Sequence, residues 1–287
     1  MDRVLTIAGV LAIVYGLFFV LEQLFPLRRS KRPLYRRIWV NLVVSCLAIV
    51  TAAVSVRPAV HFMLHWTGRE HFGFLNLFDW PPVVRFAGAI LLVDLGFYYW
   101  HRANHRFSFL WRFHNAHHID PDLDVSTSFR FHMGEVLFSA GFRIIQVGLI
   151  GLSAWAFAFY EITFQVVTIF EHTNLRLPIG LERVLVHFLV TPRMHGIHHS
   201  QVRRESNSNY STVFPWWDWV HRTLRLDVPQ GEIVIGVPAY CLSEDNKLSN
   251  VLRVPFRIQR DYWRLPNDRV AAPRSAGSAF SDWHLES

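Results

Sequence analysis

Apolar and polar positions fall into long blocks along this chain. Val4–Phe25 is apolar apart from Glu22 and Gln23, and Ile38–Val56 is uncharged. Val83–Trp100 forms a third apolar block that contains Asp94, and Gly134–Leu152 and Ser153–Phe170 follow back to back. Each approaches the length of about 20 residues that an α-helix needs to cross a bilayer. The join near Gly151–Ala154 predicts a helical hairpin. The blocks are separated by a basic loop (Arg28, Arg29, Lys31, Arg32, Arg36, Arg37) and by a longer loop, Arg57–Pro82, that ends in Pro81-Pro82 and has room for a short interfacial helix. Beyond Leu175 the chain is mostly polar, and the apolar run Val184–Val190 is too short to span. The pattern predicts an all-α, multi-pass membrane helical bundle of four to five spans, with helices and loops of 174–265 capping one end. Three parts follow: N-terminal spans and loops (1–82), a central unit (83–226) and a C-terminal segment (227–287). Ala271–Ser287, rich in Ala, Arg and Ser, is expected to be disordered. The first block is read as a retained span: it is too long for a signal peptide, and no small-residue cleavage site follows it.

Charge orients the bundle. Basic residues flanking spans stay on the cytoplasmic side, which puts the 28–37 loop in the cytoplasm and the N-terminus outside. The third span then delivers its C-terminal end to the cytoplasmic face, and the hairpin returns there at Glu171-His172. Arg143 and Glu161 lie nearly equidistant from the hairpin turn, so they share a depth and can pair. The net charge of +7 would suit nucleic acid, but its distribution around apolar blocks assigns it to a membrane. Aromatic residues make up 15% of the chain, enough for interfacial belts and an apolar substrate path. The only cysteines are Cys46 and Cys241, so neither a disulfide framework nor a thiolate metal site follows. Only Lys31 and Lys247 are lysines among the 29 basic residues, a bias that suggests a bacterial source and so an inner membrane (the endoplasmic reticulum in a eukaryote).

The chemistry is concentrated where the third span ends. His101 and His105 are spaced H-x-x-x-H, and His114, His117 and His118 are spaced H-x-x-H-H. His195, His198 and His199 repeat the second spacing. On a helix, positions three and four apart share a face, and imidazole is the commonest protein ligand for iron, zinc and copper. One such pair is often an ordinary surface or core feature; three clusters are not. Asp94, seven residues before His101, lies on the same face two turns below, where it can accept a ring N–H of a ligand histidine; pairing with Arg85 or water is the plainer reading. Neither H-E-x-x-H nor paired Glu-x-x-His is present, which argues against a zincin protease and a soluble carboxylate di-iron bundle.

In order, spacing and flanks, the three clusters resemble the histidine boxes of the fatty acid hydroxylase/sterol desaturase superfamily. The resemblance runs from about Asp94 to Trp219. It implies a membrane-bound, O2-dependent, non-haem di-iron oxidoreductase that hydroxylates or desaturates a C–H bond of a lipid: a sterol, a fatty acyl chain or an ether lipid. Two further histidines, His132 in FHMGE and His172 in EHTN, match positions where the family carries more. The implied ligands of the two irons are therefore His101, His105, His114, His117, His118, His132, His172, His195, His198 and His199. Asn174 and Asn209 are candidates for orienting ligands, with simple capping as the alternative. Asn207-Ser208-Asn209-Tyr210 and Trp217-Asp218 match the segment after the last box, with Ser211 in place of the usual glycine and His221-Arg222-Thr223 in place of Phe-Gly-Thr. The run after the second box, with Asp120, Asp122, Asp124 and Arg130, is similar to the ether-lipid and bacterial branches. No flavin, haem or four-cysteine motif is present, so electrons must come from an external donor of cytochrome b5, ferredoxin or pterin type. A membrane metal transporter or metal-binding protein is the alternative; it needs ligands staggered through the spans, and the first two have almost none.

Overall fold

The structure is a computed structural model that describes residues 2–271; the expected disordered tail and His284 lie outside the described residues. Those residues are helical, with three isolated β-bridges and no strands. Helix α1 is Asp2–Leu24, α2 Leu34–Thr51, α3 Arg57–Glu70, α4 Pro82–Arg106, α5 Ser108–His118, α6 Met133–Ile150, α7 Ala154–His172, α8 Ile179–Leu185 and α9 Pro192–His198. Among the described residues, three stretches are long and apolar enough to cross a membrane: Leu34–Asn76, Pro82–Arg106 and Met133–Ile150. Ala8–Leu24 is a shorter apolar helix. Helix α7, with Glu161 and Gln165 along it, is not among them.

The first departure from expectation is the second span. It does not end at Val56 in a loop. It runs through one π-helical turn, Ala52–Val56, into α3. The cause is Pro58, which has no N–H to give and whose ring crowds the preceding turn. A widened turn just before it absorbs that mismatch and lets the helix continue.

The hairpin forms as expected. Gly151 ends α6 with φ +74, and Ser153 caps α7 by accepting the Ala156 N–H at 3.2 Å. Gly73 crosses this turn so closely that a Cβ on it would lie 2.4 Å from the Gly151 Cα, so the crossing requires glycine. Arg143 and Glu161 do pair, with the Arg143 guanidinium 4.7 Å from the Phe97 ring centroid. Phe97 is stacked on Phe164 at 4.7 Å and on Tyr160 at 5.7 Å, which ties α4 to α7.

Phe107, extended at φ −97 and ψ 118, breaks the chain between α4 and α5. The break folds α5 back against the end of α4, so the first two histidine clusters face each other. The basic loop is only partly a surface feature. Arg37 is 1% exposed and pairs with Asp124, and with Asp120 and Asp122 at 3.5 Å each. Asp122 also accepts the backbone N–H groups of Lys31 and Arg32. The start of α2 is thereby clamped to the loop that follows the second histidine cluster. The C-terminal segment shares this core: Val237, Tyr240, Val251 and Val254 pack with Val40, Val44, Trp111 and Ile119.

Candidate metal centre

Four elements meet at one end of the bundle: the last turns of α4, all of α5, the last residue of α7, and α9. Helix α9 is short, and its start is set by Thr191 as N-cap and Pro192 in the first turn. Together these elements sort nine histidines into two groups, within each of which the ligand nitrogens all lie within 4.8 Å of one another. One holds His101, His105, His114, His118 and His198. The other holds His117, His172, His195 and His199.

Each H-x-x-H-H cluster is shared between the groups. Residues i and i+4 face one way, and i+3 lies about 100° from its neighbour at i+4. In α5 the i, i+4 pair (His114, His118) serves the five-histidine group and His117 the other. In α9 the assignment is exchanged: His195 and His199 serve the four-histidine group, and His198 the five. The His-His doublet thus points adjacent residues at two different centres.

The nitrogens are placed as ligands. His172 Nδ1 donates to the Thr168 carbonyl at 2.7 Å, so its Nε2 bears no proton. That bare nitrogen nonetheless faces His195 Nε2 at 3.0 Å and His117 Nε2 at 3.2 Å. His195 Nε2 in turn lies 3.1 Å from His199 Nε2. In the five-histidine group, His114 and His118 approach Nε2 to Nε2 at 3.2 Å. Two imidazole nitrogens bound at about 2.1 Å to one ion, at right angles, are about 3.0 Å apart. His198 Nε2 and both ring nitrogens of His105 are buried with no hydrogen-bond partner, an arrangement that a metal ion resolves. The residues fit a pair of metal ions, and an all-nitrogen donor set suits iron, zinc or copper.

Burial keeps the rings of His117, His118, His195, His198 and His199 neutral. It pushes His117, His118, His195 and His199 well below the ordinary imidazole value, with neighbouring imidazoles adding to the effect. His198 is pushed down to about 3 by the same burial, against the Ser208 carbonyl that favours its charged form. Only a neutral imidazole can ligate.

Backbone and carboxylate acceptors aim the rings. His101 Nδ1 donates to the Tyr210 carbonyl at 2.8 Å, and His198 Nδ1 to the Ser208 carbonyl at 2.8 Å. His114 Nδ1 donates to Glu135 Oε1 at 2.9 Å. The Asn207–Tyr210 segment therefore acts through main-chain oxygens, which no side-chain pattern displays. Asp218 holds that segment by accepting the N–H groups of Tyr210 and Ser211 at 2.8 and 2.7 Å. Glu135 lies in the FHMGE run, where the sequence drew attention to His132 instead.

His132 is a correction. It lies outside both groups. Its Nδ1 accepts the Gly134 N–H at 2.9 Å as the N-cap of α6, and its Nε2 donates to the Leu252 carbonyl at 3.2 Å. The turn that starts α6 uses up the ring. Asp94 is a second correction. It touches no histidine and is not paired with Arg85. Its carboxylate accepts from the Tyr160 hydroxyl at 2.6 Å, Trp217 Nε1 at 2.8 Å and the Phe214 N–H at 3.1 Å. It pins the loop that carries Tyr210. Asn174 and Asn209 also contact no imidazole. Asn174 exchanges hydrogen bonds with the Arg28 backbone, and Asn209 donates to the carbonyls of Met194 and Arg225. Both act on backbone placement.

The segment that carries these histidines is similar to known proteins. Residues 86–223 match the family model described as fatty acid hydroxylase. The chain is 31% identical over 188 residues to the ornithine lipid hydroxylase of Rhizobium tropici, covering 66% of this chain and 53% of that one. It is 26% identical over 198 residues to the human (Homo sapiens) alkylglycerol monooxygenase, covering 69% and 42%. It is 25% identical over 221 residues to a cholesterol 25-hydroxylase-like protein of Danio rerio, covering 73% and 85%. The chain thus spans about half the length of the first two relatives. No solved structure matches it. The matched segment contains all nine clustered histidines, and through it the chain belongs to the fatty acid hydroxylase/sterol desaturase superfamily.

Proposed function

We propose that this protein is a membrane-bound lipid oxygenase that holds two irons in its nine clustered histidines and hydroxylates or desaturates a C–H bond of a lipid. The observation that carries this reading is the division of nine buried or half-buried imidazoles into groups of five and four whose ligand nitrogens converge. Iron, when bound there, supplies the activation of O2 and the oxidation of an unactivated C–H bond. The chain supplies the rest. His101, His114 and His198 present bare Nε2 atoms because their Nδ1 protons are committed to Tyr210, Glu135 and Ser208. Burial of the cluster excludes water, which protects an oxidising site from side reactions. The lipid's polar end stays at the interface, and its apolar chain lies against the aromatic packing of α4, α6 and α7, one turn below His101. Electrons come from an external donor protein or small reductant, and the site faces the cytoplasm, from the inner membrane of a bacterium.

The relatives are named for an ornithine lipid, alkylglycerols and cholesterol, which favours a lipid without choosing one. The transporter alternative gains no support: the nine histidines form one closed cluster at the helix ends, and α1 and α2 carry none. The test is iron content of the gently purified protein together with lipid mass spectrometry of cells with and without the gene. Two irons per chain and a lipid that gains one oxygen or loses two hydrogens are expected. His117→Ala and His198→Ala should abolish the lipid change while the protein still reaches the membrane. A metal-free protein from iron-replete cells, with unchanged lipids, refutes the reading.

A further inference from the structure

One buried carboxylate has no role in the site as described so far. Glu171, next to the ligand His172 at the end of α7, is 3% exposed. Its Oε2 has no hydrogen-bond partner, and no Arg or Lys pairs with it among the described residues. Across from it, at 3.9 Å, is His195 Nδ1, also buried and without a partner. His172 Nδ1 is nearer, at 3.6 Å, but already donates to Thr168. His195 Nε2 is directed into the four-histidine group, 3.0 Å from His172 Nε2 and 3.1 Å from His199 Nε2. With Nε2 committed to an ion, the ring proton must sit on Nδ1, facing Glu171. A buried carboxyl oxygen that can accept thus lies opposite a buried N–H that needs an acceptor.

The five-histidine group shows the same relation already closed, between Glu135 and His114 at 2.9 Å. We infer that Glu171 is the positioning carboxylate of the four-histidine group: it accepts the His195 Nδ1 proton and sets one negative charge beside the ion held there. Each ion then has one carboxylate, one imidazole away. Two dications buried among neutral ligands otherwise have no compensating charge, and a carboxylate behind a ligand histidine fixes its tautomer and raises its basicity. This inference rests on the two-ion reading of the site.

The test uses protein purified from cells grown on 57Fe: wild type, Glu171→Gln, Glu171→Ala and Glu135→Gln. Iron per chain, release to a chelator and Mössbauer spectra are read, with a melting curve for each variant. Glutamine keeps the volume and an acceptor oxygen but removes the charge. E171Q is expected to weaken one iron by about tenfold to a hundredfold and to shift one quadrupole doublet. E135Q should weaken the other iron and shift the other doublet. E171A should behave as E171Q or more strongly; if it melts early, E171Q decides. An E171Q protein that holds both irons with wild-type release and unchanged doublets overturns the inference while leaving the two-iron reading intact. A wild type without bound metal overturns both.

Discussion

The two histidine groups share α5 and α9, with α4 completing one and α7 the other, and they are held differently. In the five-histidine group, three rings have their second nitrogen anchored, to the Tyr210 carbonyl, the Ser208 carbonyl and Glu135. In the four-histidine group only His172 is anchored, to Thr168 one turn earlier on its own helix. The Nδ1 atoms of His117, His195 and His199 are buried and have no partner. The first group is therefore preorganised by distant parts of the chain. The second depends more on the ion itself to set its geometry. Anchored rings lose less freedom on binding, so the five-histidine group should hold its ion more tightly.

Removing a ligand from either group is the largest break in this comparison. His114→Ala and His195→Ala should each remove one iron and lower lipid oxidation by at least about a hundredfold, since both centres must be filled; metal analysis and lipid turnover check this. In chelator competition on the intact protein, iron should leave in two phases. The faster phase should vanish in H195A and the slower in H114A. A single phase would show the two groups to be equivalent.

Acid comes next. The folded protein keeps His117, His118, His195, His198 and His199 neutral, whereas the unfolded chain protonates histidine near the ordinary value. Protons therefore bind the unfolded state preferentially below that value. The stability of the metal-free protein should be greatest above the ordinary histidine range and fall as pH drops through it. For His198 the loss continues down to about 3. Melting temperatures of the chelated protein between pH 7.5 and 5.5 test this, and bound metal should flatten the curve.

Asp94→Ala strips acceptors from the Tyr160 hydroxyl, Trp217 Nε1 and the Phe214 N–H together. It should cost about 3 kcal/mol. By loosening the loop that carries the Tyr210 carbonyl, it should also speed the slow phase of iron release and leave the fast one unchanged. The smallest effect is a gain. Arg222 takes φ +57, the left-handed region that favours glycine, on the same stretch of chain. Arg222→Gly should stabilise by about 0.5–1 kcal/mol, measured as a rise in melting temperature with both release phases retained.

Much of this was readable one residue at a time. Spacings of three and four identified eight of the nine clustered histidines, because helix geometry alone puts such residues on one face. His172 follows from the family resemblance, with the hairpin returning it to the histidine-bearing face, and the Arg143–Glu161 pair from equal distances to the same turn. The π-turn before Pro58 and the long α2–α3 stretch are not legible in the apolar pattern, because the uncharged block ends at Arg57 and a single charge does not end a helix. The burial of Arg37 does not show in the basic loop it belongs to, because the three aspartates that pair with it lie more than eighty residues away in sequence.

The sequence by itself determined which residues are able to ligate metal and which faces they share, since both follow from side-chain chemistry and a fixed helical pitch. Only the tertiary structure decided the division into five and four, the loss of His132 to the α6 cap and the assignment of Asp94 to a loop. Those outcomes depend on which distant segment reaches a ring nitrogen or carboxylate first. The Tyr210 carbonyl that aims His101 is 109 positions along the chain, and the Trp217 indole that claims Asp94 is 123. No local pattern encodes such meetings, because they are set by how whole helices pack.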